Sequence, residues 1–127
     1  LVVAANGPRS MRLAARFGEG WVTYGGVAED MEGWWRLVAA AAERMRRELE
    51  AAGRDPAGFA RYLSLDGAPV FSLSSVGFFA DAVERAARLG FTDVITHWPR
   101  ESSWYAGEES VLVEVAMTVL PQLRRVG

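Results

Sequence analysis

LVVAANGPRSMRLAARFGEGW, residues 1–21, decides how this chain is read. Leu1–Ala5 is a continuous apolar run, the pattern of a parallel-sheet strand buried on both faces. Asn6-Gly7-Pro8 is a tight turn, and Pro8 to Phe17 reads as a short helix with Met11, Leu13, Ala14 and Phe17 facing inward. Proline suits the first helical position, where its missing N–H removes no intrahelical bond and its fixed φ is already helical. Gly18 and Gly20 punctuate the exit. A strand that turns through glycine into a helix start is an anion-binding geometry. The first-turn N–H groups and the positive end of the helix dipole face whatever lies beyond the strand. Arg9 adds a mobile positive charge at the same mouth. The turn is not GxGxxG and no GK[ST] follows it, so the glycine-rich fingerprints are absent. The same unit also occurs in α/β proteins that bind nothing there.

Outward from this unit, strand and helix patterns alternate. Trp21–Tyr24 is a short strand closed by Gly25-Gly26. Ala28 to Ala52 is the longest helix, with Met31, Trp34 or Trp35, Val38, Ala42, Met45 and Leu49 on one stripe. Glu29 and Asp30 fall in its first turn, where they complement the dipole. Gly53 ends it, and Arg54-Asp55-Pro56 starts a turn. The Arg/Glu load of AAERMRRELEAAGRDPAGF, residues 41–59, reads as a solvated outer face and its return loop. Arg61–Leu65 is a strand followed by an Asp66-Gly67 turn, and Ala68–Ser75 is a second short strand or a loop. Phe78 to Leu89 is a helix with Phe79, Val83 and Ala86 inward, ending at Gly90. Thr92–Trp98 is a β-branched strand stopped by Pro99. Glu101 to Gly107 is an aromatic, serine-rich loop, and Glu108 to Arg125 a final helix with Leu112, Val115, Val119 and Leu123 on one stripe.

This order predicts a single α/β domain over residues 1–127, with parallel strands and helices crossing outside. Four or five strands are too few to close an eight-stranded barrel. The chain opens inside a strand without an initiator Met, and the expectation is that it is the C-terminal part of a longer protein. Half of the 127 residues are hydrophobic and 24% are charged, a globular composition. Net charge is −2 and there is no lysine, so no basic stripe is available for a nucleic-acid backbone. With no cysteine, disulfides, thiolate zinc sites, iron–sulfur clusters and a cysteine nucleophile are excluded. No apolar run is long enough for a membrane span and no signal-peptide pattern opens the chain, so the expected compartment is the cytoplasm.

Three stretches together carry a family resemblance: AANGPRSMRLAARFGEGW (4–21), AAGRDPAGF (51–59) and GFTDVITHWPR (90–100), with VLPQLRRV (119–126) closing the chain. They resemble the luciferase-like monooxygenases, and within them the branch that uses the deazaflavin coenzyme F-420 more than luciferase itself. The resemblance runs in order along essentially the whole chain and corresponds to the C-terminal part of that family's domain. It implies the C-terminal half of a TIM-type β/α barrel, with coenzyme F-420 or FMN bound at the C-terminal ends of the strands. Phosphate in such barrels often sits at the loops of the late strands and a helix N-terminus. The matching positions here are Asn6, Gly7, Pro8 and Arg9. The family's first strands, which provide much of the bed for the redox-active ring and the substrate pocket, have no counterpart in these residues. The expectation is therefore an oxidoreductase fragment, inactive alone, acting on a small-molecule substrate when intact.

His97, the only histidine, ends the last strand on the face where barrels build their sites. It reads either as a packing and hydrogen-bonding residue or, with Trp98, as part of an active-site mouth. Trp98, Trp104 and Tyr105 form either a wall over a flat ring or a cap on the end of the barrel. Asp66, Asp93 and Glu101 lack the pattern of a carboxylate pair or metal cluster, and Ser72, Ser74 and Ser75 lack a GxSxG context. No catalytic residue and no metal are assigned. The rival reading is a non-catalytic α/β module that self-associates, a homo-oligomer joined through open sheet edges. A small α/β enzyme complete in itself is a third reading, without a catalytic constellation to support it.

Overall fold

The computed structural model describes residues 1–100 and 107–121. Its elements are β1 (Val2–Ala4), α1 (Pro8–Phe17), β2 (Gly20–Thr23), α2 (Met31–Ala51), β3 (Ala60–Ser64), α3 (Val76–Arg88), β4 (Asp93–Ile95) and α4 (Glu109–Glu114). A π-helical turn over Val115–Val119 continues α4. The four strands form one parallel sheet in the order β1-β2-β3-β4. Spatial order and chain order coincide, so right-handed crossovers all step the same way and leave their helices on one face.

Burial divides the two faces accordingly. Register sets Val3 beside Trp21 and Trp21 beside Arg61, and on the same face Thr23 beside Leu63 and Leu63 beside Val94. Trp21, Thr23 and Leu63 are fully buried there, under a layer that includes Met11, Ala14, Val38, Leu49, Phe79 and Ala86. The opposite face carries Val2, Val22, Tyr62 and Ile95, and none of these is buried. Val2 is 44% and Ile95 37% exposed.

Two expectations about the first unit are corrected by this one-sided covering. β1 is not buried on both faces: it is an edge strand, with Val2 and Ala4 exposed on the uncovered side. In α1, Met11 and Ala14 are buried as expected, but Leu13 and Phe17 are exposed and Ala15 is buried instead. The helix packs against β2 and against α2 on a single flank, so its apolar stripe is wider than the surface it meets.

Other boundaries follow local chemistry. Asp30 is the N-cap of α2 and accepts the Gly33 N–H at 2.7 Å, so Glu29 precedes the helix rather than sitting in its first turn. Both Trp34 and Trp35 are buried, in an edge-to-face pair. α2 and α3 end alike: Gly53 and Gly90 take positive φ, and the following residues, Arg54 and Phe91, donate back to Leu49 O and Ala86 O. That pairing satisfies the last carbonyls of each helix. Ser75 caps α3 through the Phe78 N–H. Ala68–Ser75 is a loop with a 3-10 turn at Ser72–Ser74, not a strand. β4 stops at Ile95, short of the expected Trp98, because Thr96 and His97 turn to bond Asp66. Leu123, the C-terminal part of the last helix and the Glu101–Tyr105 stretch, including Trp104, lie outside the described residues.

The solvated reading of residues 41–59 holds for Glu43, whose carboxyl is pulled down to about 2 by hydrogen bonding to Arg46 on the open outer face. It fails for Arg54. This guanidinium donates to Ala15 O at 3.1 Å and to Gly18 O, closing the end of α1, and lies over the Phe59 ring at 5.2 Å. Arg54→Ala is expected to cost about 1.5–3 kcal/mol in urea unfolding, since bonds from a charged donor to otherwise open helix carbonyls are lost together. Arg46→Ala, on the solvated face, is the control and should leave the urea midpoint essentially where it is.

Candidate functional site

In a parallel sheet all the C-terminal strand ends meet at one rim, and four connections leave it here. They begin at Ala5-Asn6, Tyr24-Gly25, Leu65-Asp66 and Thr96-His97.

At the β1 end the turn is pinned from two sides. The Trp21 indole Nε1 donates to Ala5 O at 2.6 Å, and Ala5 N donates to Val22 O at 3.0 Å. The Thr23 hydroxyl donates to Asn6 Oδ1 at 2.5 Å and accepts the Gly25 N–H at 3.1 Å. With its carbonyl oxygen engaged, Asn6 presents its amide NH2 as the group able to donate to an anion. Gly7 is the N-cap of α1 and has ordinary extended backbone (φ −100°), with no side chain capping the helix end. A Cβ at Gly7 would meet nothing closer than Ser10 Oγ at 3.8 Å. Neither backbone conformation nor crowding within the chain therefore requires glycine there. Pro8 holds the first helical position and Arg9 is exposed beside it. The sequence reading of an open helix start is matched by this geometry.

The second cluster is centred on Asp66, whose side chain is 1% exposed. Oδ1 accepts the Ser72 N–H at 3.0 Å. Oδ2 accepts the His97 N–H at 2.7 Å and the Thr96 hydroxyl at 3.3 Å, and lies 2.9 Å from His97 Nδ1. Ser72 Oγ and Thr96 Oγ1 are 2.6 Å apart and share a hydrogen bond. A carboxylate at Nδ1 favours the proton on that nitrogen and fixes the plane of the ring. Gly67, next in sequence, lies against the Tyr24 backbone so closely that a Cβ would fall 2.5 Å from Tyr24 O. Val27, Ala28, Asp66, Ala68 and Phe71 line a shallow groove of about 330 Å³ beside this cluster. Trp98 is exposed on the β4 side.

The sheet does not bring the two sets of sequence candidates together. Asn6, Gly7, Pro8 and Arg9 leave β1 at one edge, and His97 and Trp98 leave β4 at the other. Three strand spacings, about 14 Å in all, separate the edges. Thr23 and Asp66 were missed as rim residues. Their signal was position, a polar residue at the C-terminal end of an apolar strand, with Asp66-Gly67 read only as a turn. Among the described residues no three His, Asp or Glu side chains group as a metal site, and no helix is long and apolar enough to cross a membrane. No protein-family model matches the chain, and no match was found among curated proteins.

Proposed function

We propose that this chain is the cofactor-phosphate half of a luciferase-like β/α-barrel oxidoreductase of the monooxygenase class, a cytoplasmic protein that takes coenzyme F-420 or FMN and a small-molecule substrate. The carrying observation is the open α1 start. Gly7 is a glycine that the fold does not need, placed at a helix N-terminus with Asn6 before it and Arg9 two residues after it in sequence. A phosphate approaching these N–H groups would use the space that a side chain at this position would fill. Asn6 and Gly7 would hold the phosphate end of the cofactor, with Arg9 as a flexible countercharge, and Thr23 and Trp21 would keep the turn in place. The sequential parallel order is also the arrangement of neighbouring units in such a barrel. When bound, the cofactor supplies hydride transfer or, as FMN, oxygen activation. The protein's share is to hold it and to exclude water.

Fluorescence titration of the chain with coenzyme F-420 and with FMN tests the reading. Saturable binding of one of them, competed by inorganic phosphate, is the expected result. Absence of binding by both, in this chain and in a longer product containing it, would sink it. Gly7→Ala is expected to leave unfolding stability within about 1 kcal/mol. The same substitution should weaken cofactor binding about tenfold, a loss of about 1.4 kcal/mol. If it leaves affinity unchanged, Gly7 does not face the ligand.

A further inference from the structure

We infer that two copies of this chain close on each other about a two-fold axis that is the axis of the barrel they form, giving an eight-stranded parallel barrel. In it the β1 turn of one copy and the Asp66–His97 cluster of the other form a composite site. The inference rests on the barrel part of the reading above and not on its cofactor. Four parallel strands in chain order are half the complement of an eight-stranded barrel, and helices on one face are its outer layer. The two edges of the sheet differ, β1 at one and β4 at the other, so copies join head to tail. A head-to-tail joint extends without limit unless the rotation closes, and a unit that spans half a turn closes at two.

The exposed side chains say where the second copy sits. Of twelve large hydrophobic residues exposed among the described ones, eight belong to the first or the last strand–helix unit. Leu13 and Phe17 stand out on α1, at 51% and 69%, and Val113 and Met117 on α4 and its continuation, at 54% and 74%. α1 and α4 are the flanking helices, and closure lays α4 of one copy beside α1 of the other, covering these four. It also lays β4 beside the partner's β1, pairing edge backbone groups that no strand among the described residues covers. Val2 and Ile95, on the uncovered sheet face, then enter the interior of the barrel. One operation therefore accounts for the sheet edges, the partly exposed inner face and the apolar flanks of the outer helices.

Closure also changes the rim. His97 and Trp98 stand about 14 Å from Asn6 and Gly7 within one copy, but one strand spacing, about 4.8 Å, separates β4 from the partner's β1. The partner's Asn6 and the partner's Gly7 thus come beside His97. Each barrel would hold two such sites, related by the two-fold axis. The site is incomplete in a single copy, and its chemistry is an anion-holding turn beside a carboxylate-oriented imidazole.

The test uses the 127-residue chain and its lack of cysteine. Sedimentation equilibrium at micromolar concentration should give twice the 13.9 kDa chain mass. A monomer, or a series of growing species, overturns the inference. Three single variants, Val2→Cys, Ala4→Cys and Ile95→Cys, are then made, each checked for native circular dichroism. Mixing Ile95→Cys with Val2→Cys or Ala4→Cys under mild oxidation should give a covalent dimer from at least one pair, whichever register the new seam adopts. Each variant alone should give none, because equivalent positions face each other across the barrel, beyond the roughly 7 Å that a disulfide tolerates between Cα atoms. Covalent dimers from one variant alone, or none from either mixture, indicate stacked sheets or another interface and overturn closure. The readouts contain no cofactor. A dimer that fails to bind coenzyme F-420 or FMN counts against the proposed function alone, and a monomer that binds one counts against closure alone.

Discussion

Trp21→Ala is expected to lower unfolding stability by about 3–5 kcal/mol, the range for removing a fully buried large aromatic side chain. Trp21 is wholly inaccessible and stacks on Phe91 with ring centroids 5.7 Å apart. It stands in the middle of the covered face, with Val3 and Arg61 at the same level on the strands to either side. Its indole N–H is also the partner of Ala5 O, the last carbonyl before the Asn6-Gly7 turn. The consequence for function separates from the consequence for stability in Trp21→Phe. That variant keeps the six-membered part of the buried ring and loses the pyrrole part with its donor, leaving Ala5 O without that partner at a cost of about 1–3 kcal/mol beyond the lost packing. Denaturant melts of both variants, with phosphate-competed cofactor titration of the second, check the argument. Trp21→Phe should fold and bind more weakly. Equal affinity would mean that the turn holds its shape without the indole.

Asp66→Ala carries the second large expected effect, a loss of about 3 kcal/mol or more. Its two carboxylate oxygens are the acceptors for the backbone N–H groups of Ser72 and His97, and they also meet the Thr96 hydroxyl and His97 Nδ1. With the side chain 1% exposed, water is poorly placed to replace it, and each donor stranded by the truncation costs on the order of 1–3 kcal/mol. Asp66→Asn keeps one carbonyl oxygen for the Thr96–His97 side but presents an NH2 to the Ser72 N–H, so an intermediate loss is expected. Urea midpoints of the three proteins should fall in the order wild type, Asn, Ala. A loss below about 1 kcal/mol for Asp66→Ala would show that the loops leaving β3 and β4 are held by something other than this carboxylate.

The sequence made the alternation of elements plain because helix and strand periods differ and because Gly, Pro, Asp and Ser mark most junctions. The α1 limits, Pro8 and Phe17, were legible to the residue, since proline opens the helix and glycine follows it. Burial was less legible. Val2 and Phe17 look like core residues by type, and only the position of their unit at the edge of the sheet leaves them exposed. The short β4 was hidden for a related reason. TDVITHW has the composition of a longer strand, and what ends it is Asp66, a residue thirty-one positions earlier than His97. Arg54 shows the same limit, because its place on the carbonyls of α1 joins residues 36 and 39 positions apart. Of the candidate site, the helix start was visible in Asn6-Gly7-Pro8, whereas the Asp66–His97 pairing required the crossover through α3.

Coincidence of chain order and spatial order also governs how the polypeptide acquires its structure. Each strand after β1 pairs on arrival with the one made just before it, so among the described residues no strand has to be inserted between two already joined. The sheet grows at a single advancing edge, in the direction of translation, with one strand–helix unit added at a time. Contacts between successive units span modest lengths of chain, which favours rapid assembly. Trp21 comes under cover once α2 has followed it, and Asp66 gains its full set of donors only when Thr96 and His97 arrive. The first half of the sheet is thus set early, and the rim cluster is among the last parts to lock.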